Sequence, residues 1–189
     1  MDNNLEEKLK IEVFKYLEKG RPNWDLPHTL AVVHWMKELL KGEGGNSRVL
    51  ITAAYLHDIG YANMFDESNY DDDSVMVMRS KHMQIGVEYS RNILDKVKGF
   101  EKEEIERIFH LVGMHDDLEQ IVDNDEQILF EADSLGQIDI ERVKSNWNDE
   151  DYKKFINHYQ RDRAIRFKTK TGIKFRDILL EKILKDKKI

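Results

Sequence analysis

Apolar residues recur at three- and four-residue steps through most of this chain, which is the spacing of amphipathic helices. Leu5, Leu9, Val13, Phe14 and Leu17 make the first stripe, closed by Gly20. Asp25-Leu26-Pro27 reads as a cap followed by proline in a first turn, opening a helix to about residue 41 that ends at Gly42. Gly44-Gly45-Asn46-Ser47 reads as a turn, with Ser47 capping a helix that continues through Asp58. Residues 62–80 show no clear period and carry the acid run Asp71-Asp72-Asp73, so they are read as a long loop. Further helices are expected over residues 81–97, 102–115, 126–140, 149–167 and 174–185. No strand-like alternation and no internal repeat interrupts this pattern. The expectation is a single all-α domain over residues 1–189, with a core at about 24–140 and C-terminal helices at 149–185 packed on it.

Composition narrows the function classes. With 40% hydrophobic residues the chain can bury a sizeable core. A formal net charge of -7 argues against nucleic acid as the default partner. There are no cysteines, so disulfides, zinc–thiolate sites and thiol nucleophiles are excluded, and any metal must be held by nitrogen and oxygen. No apolar stretch reaches the roughly 20 residues that span a bilayer. The acidic, amphipathic start lacks the apolar core of a signal peptide, and the expected compartment is the cytoplasm. A homo-oligomer stays open.

Within this pattern His57-Asp58 is the most informative pair, because it sits in the apolar run Ala53-Ala54-Tyr55-Leu56-His57-Asp58-Ile59-Gly60. Desolvated charges must be paired or bound to metal, and a divalent cation suits both side chains at once. Helical phase then sorts the other candidates. His28 shares a face with Ala31, Val32, Trp35 and Leu39; His82 with Ile85, Gly86, Tyr89 and Ile93. His115 borders the stripe of Ile105, Ile108, Phe109 and Val112, and Asp133 stacks over Leu129 with Gly136 allowing close approach. His34, His110 and His158 fall outside. The acid run and the basic stretch from Arg161 to Lys174 read as solvated segments.

The ordered set His28, His57-Asp58, Asp133 resembles the HD superfamily of metal-dependent phosphohydrolases. Asp25-Leu26-Pro27-His28-Thr29, Leu56-His57-Asp58-Ile59-Gly60, His82-Met83-Gln84-Ile85-Gly86 and Glu131-Ala132-Asp133-Ser134-Leu135 carry the resemblance, over about residues 24–140. It implies an all-α bundle of the HD-domain type. It also implies one metal held by His28, His57, Asp58 and Asp133, and a second taken by Asp58, His82 and His115. Mixed His and Asp ligands suit manganese, iron, cobalt, nickel or magnesium. Many members carry a lysine directly after the glycine that follows the pair; here that position is Tyr61. The Gly-Tyr-Pro tripeptide of the cyclic-dinucleotide branch is absent.

The reaction so implied is attack of metal-activated water on a phosphate ester of a nucleotide or similar small metabolite. Asp58 would be the bridging carboxylate and Asp116 a candidate proton donor. Arg79, Lys81 and Lys168 are candidate phosphate contacts, and Trp24 and Tyr61 candidate base-stacking rings. Two other functions suit the same ligand set: a diiron oxygenase, and a nucleotide sensor without catalysis.

Overall fold

Helices in this chain begin after Asp2, Asn46, Asp123 and Thr169, where a short polar side chain closes unpaired amides of the first turn. The computed structural model of the protein describes residues 1–65, 72–144 and 149–187. Among these lie eight α-helices and no strand: α1 (Asn3–Leu17), α2 (Asp25–Glu43), α3 (Ser47–Leu56), α4 (Asp72–Val97), α5 (Lys102–Met114), α6 (Asn124–Gln137), α7 (Asp149–Asp162) and α8 (Lys170–Lys187). Two 3-10 turns, Ile59–Tyr61 and Ala164–Arg166, follow α3 and α7. The all-α expectation holds. None of the described helices is long and apolar enough to cross a membrane.

Several boundaries differ from the sequence reading, each for a local reason. Asn46 caps α3, its side chain accepting from the amides of Arg48 and Val49, so Ser47 becomes the first helical residue. Helix α6 starts at Asn124 because Asp123 and Glu126 form a reciprocal capping box. Thr169 Oγ1 accepts from Gly172 N at 2.9 Å and opens α8 at Lys170, four residues before the expected start. The largest correction is at 72–80. This segment is the beginning of α4, not loop; residues 66–71, also assigned to that loop, lie outside the described residues.

The core runs between α2, α3, α5 and α6, where Met36, Leu39, Leu50, Ile108, Leu129 and Phe130 are fully buried. Helix α2 packs on α3 and α6, α3 on α5, and α4 on α5 and the first 3-10 turn; α8 lies on α6 and α2. Two glycines permit the approaches that matter below. A Cβ at Gly60 would fall on the carbonyl oxygen of His82, so glycine is required for the turn after His57-Asp58 to lie against α4. A Cβ at Gly136 would press on Val32 and on the His28 ring, so glycine lets α6 close on α2.

Candidate metal centre

Helices α3 and α5 end in the same way. His57 follows the last residue of α3 and His115 the last residue of α5. Each ring donates its Nδ1–H to a carbonyl three residues back, His57 to Ala54 and His115 to Val112, both at 2.9 Å. A carbonyl only accepts, so Nδ1 carries the proton and Nε2 of the neutral ring presents a lone pair.

Both Nε2 atoms face one small volume. His57 Nε2 lies 3.2 Å from Asp58 Oδ2 and 3.4 Å from His28 Nε2. His28 Nε2 is 3.6 Å from that same oxygen. On the other side, His82 and His115 present Nε2 to Asp58 Oδ1 at 3.5 and 3.6 Å, and these two nitrogens are 3.3 Å apart. Asp58 therefore turns one carboxylate oxygen to His28 and His57 and the other to His82 and His115. Asp133 arrives from α6, its Oδ1 3.0 Å from His28 Nε2 and 3.9 Å from His57 Nε2. None of the six residues is more than 5% exposed.

Charges in this pocket are strongly perturbed. Burial works against an imidazolium at His57, but the adjacent Asp58 outweighs it and moves the ring up to about 9. Burial and neighbouring His115 push His82 down to about 4. Burial opposes ionisation of Asp58 and Asp133, yet both are held well below the usual carboxylate range. His57 and Arg21 do this for Asp58, Arg163 and His28 for Asp133.

The donor set fits a divalent cation. His28, His57 and Asp58 form one group, and Asp58, His82 and His115 another, with ligand atoms within 4.8 Å of one another in each. Four buried imidazoles and two buried carboxylates crowded together are costly unless a cation is shared among them. A cation held by these residues would stand where His57 otherwise carries a proton.

Two arginines that the sequence reading did not single out brace the cluster. Arg21, in the connector between α1 and α2, donates from Nη2 to Asp58 Oδ2 and from Nε to Asp25 Oδ1 at 2.6 Å. Its guanidinium lies 4.0 Å from the Tyr61 ring centre, and Tyr61 stacks on His82 at 4.0 Å and 9°. The position where the resemblance expects lysine is thus a buried wall between Arg21 and His82. Arg163, at the end of α7, donates from Nη2 to Asp133 Oδ2, from Nη1 to Asp116 Oδ1 at 3.2 Å and from Nε to Ser134 Oγ at 2.9 Å. It corrects the reading of the Arg161–Lys174 stretch as solvated, since its side chain is only 11% exposed.

The helical phases expected for His28, His82, His115 and Asp133 all point inward. His110 is half exposed and paired with Glu126 at 2.6 Å, and His158 is exposed. Arg79 reaches Asp116, 3.0 Å from Nε to Oδ2, with Nη2 also donating to Oδ1 and to the Asp116 carbonyl. Lys81 and Lys168 are exposed, and among the described residues neither side chain contacts the cluster. Lys168 contributes instead through its amide, which donates to Glu131 at 2.7 Å. Trp24 stacks on His28, 5.4 Å between ring centres.

The family model for the HD domain matches residues 26–137, a span that contains all six clustered residues. The chain belongs to the HD domain family. This is a superfamily of metal-dependent hydrolase type, and the HD pair of its name is His57-Asp58. Arg79 and Asp116 lie inside the matched span of the HD domain, Arg21 and Arg163 outside it. No curated protein and no solved structure matches the chain.

Proposed function

We propose that this HD domain protein is a metal-dependent phosphohydrolase acting on a phosphate ester of a nucleotide or similar small metabolite. The observation that carries this reading is the sharing of Asp58 between two histidine pairs, one on each carboxylate oxygen. His28, His57, Asp58 and Asp133 would hold one divalent ion, and Asp58, His82 and His115 a second. A divalent ion bound there supplies a water of lowered pKa and neutralises charge on a phosphoryl group.

The chain's own residues do the rest. Nδ1–H bonds at His57 and His115 hold both rings with Nε2 inward, which fixes the tautomer. Arg21 donates to Asp58 on the oxygen that faces His28 and His57, and Arg163 donates to Asp133 Oδ2, so these carboxylates stay ionised and oriented. Arg79 is the substrate contact the geometry favours among the sequence candidates, being half-buried and tied to the residue after His115. Asp116 serves better as the holder of two arginines than as a proton donor. Burial raises it, but Arg163, His115 and Arg79 bring it to about 2, so it is ionised at neutral pH.

The test is elemental analysis of the purified protein, followed by phosphate release from a panel of nucleotides and small phosphate esters with manganese, cobalt, nickel, iron and magnesium. Release of phosphate that disappears on chelation and returns with metal supports the reading. Tightly bound iron with oxygen-dependent turnover and no phosphate release would replace it with the diiron oxygenase reading.

A further inference from the structure

Arg79, on α4, and Arg163, the residue after α7, are far apart in sequence and converge on Asp116. They share this carboxylate, and Asp133, the other acid that Arg163 touches, also faces His28 and His57. Arg163 uses three N–H donors, on Ser134, Asp116 and Asp133; Arg79 uses Nε and Nη2, all on Asp116. A guanidinium has five N–H donors in a planar fork. Among the described residues, Arg79 Nη1 is left without a partner. This corner is also more exposed than the cluster. Arg79 is 31% exposed and Asp116 16%, against 2% or less for the four imidazoles.

We infer that Arg79 and Arg163 form an anion fork, held in place by Asp116, that selects a dianionic phosphate monoester over a phosphodiester. The inference rests on the phosphohydrolase reading and names its substrate class. A monoester carries one more anionic oxygen, and one more charge, than a diester. Two arginines around one carboxylate of their own supply the charge that meets it, and a planar fork supplies paired donors. A diester replaces that oxygen with an esterified one, which accepts weakly and brings no charge. Tyr159, one turn before Arg163, is buried at 2%, and among the described residues its hydroxyl has no partner.

The test is calorimetric binding of inorganic phosphate to manganese-loaded protein at about pH 8, where phosphate is a dianion. Dimethyl phosphate, a monoanionic diester, is titrated beside it, and metal content is measured first. Arg79→Gln and Arg163→Gln should each weaken phosphate binding about tenfold, and Arg163→Lys should recover part of the loss. Dimethyl phosphate should bind weakly to wild type and change by less than about twofold in the variants. Arg79 touches none of the six clustered residues, so Arg79→Gln decides the matter if Arg163→Gln loses metal or fails to fold. The fork is overturned if Arg79→Gln binds phosphate like wild type, if the diester loses as much as phosphate, or if wild type prefers the diester. Fork-dependent phosphate binding without hydrolysis of any ester would keep the fork and remove the hydrolase reading. Hydrolysis with fork-independent binding would do the reverse.

Discussion

The chain contains the dipeptide His-Asp twice, at 57–58 and 115–116, and the two copies begin alike and end differently. Each histidine closes a helix, donates Nδ1–H three residues back and turns Nε2 to the same cluster. The aspartates part company. Asp58 lies among four imidazoles, whereas Asp116 turns away to Arg79 and Arg163. The backbone after each histidine accounts for this. A 3-10 turn follows Asp58, and Gly60 lets that turn lie directly on α4 beside His82. After Asp116 the chain instead turns at 117–120 beside the end of α7, where Arg166 Nη1 donates to the Leu118 carbonyl. A motif of two residues therefore fixes only the histidine; what the carboxylate does is decided by the element packed against it.

Breaking the first pair should have the largest effect. Asp58→Ala removes the carboxylate shared by both histidine pairs, and phosphate release should fall by about 10³-fold with loss of bound metal. Asp116→Asn should be milder, about tenfold in kcat/KM with metal content unchanged, because it releases two arginines and removes no cluster ligand. Steady-state kinetics beside elemental analysis separates the two. Equal loss of metal in both variants would erase the distinction between the pairs.

The comparison also explains what could be read in advance. His28, His82, His115 and Asp133 were legible because each lies on the apolar stripe of its own helix, and helical phase is a local property. Arg163 carries a usable signal. It extends the buried series Tyr152, Ile156 and Tyr159 by four residues, but it stands in a basic stretch that reads as a solvated helix end. Arg21 had none, since it lies between helices and its partner Asp58 is 37 residues away. The start of α4 was hidden because three consecutive acids and the exposed Val77 blur its period. Pairings made across the fold leave no trace in the spacing of one helix.

A pH series sharpens the picture of the first pair. His57 is raised from 6.5 to about 9 beside Asp58, so the stability it contributes is fully present below about pH 6.5 and is lost as pH rises through about 9. Chelated protein should accordingly lose several degrees in Tm between these values. Metal-loaded protein should not follow, since a bound cation replaces the proton. Thermal unfolding of both forms at about pH 6 and pH 9.5 checks this; parallel curves would show that His57 is not the proton-bearing group.

The smallest effect is expected outside both pairs. His110→Ala loses the 2.6 Å bond from a half-exposed ring to buried Glu126, which keeps its bonds from the amides of Val122 and Asp123, and should cost about 1 kcal/mol while leaving metal content and phosphate release unchanged. His115→Ala, five residues on, should strip the ion expected at Asp58, His82 and His115. A reversed outcome would mean that the register of α5 is misassigned.

Metal stoichiometry across three proteins addresses the shared carboxylate most directly. Elemental analysis after manganese loading and gel filtration should give two ions per chain for wild type, one for His82→Ala and none for Asp58→Ala. Full metal content in Asp58→Ala, with the fold intact by circular dichroism, would contradict the account.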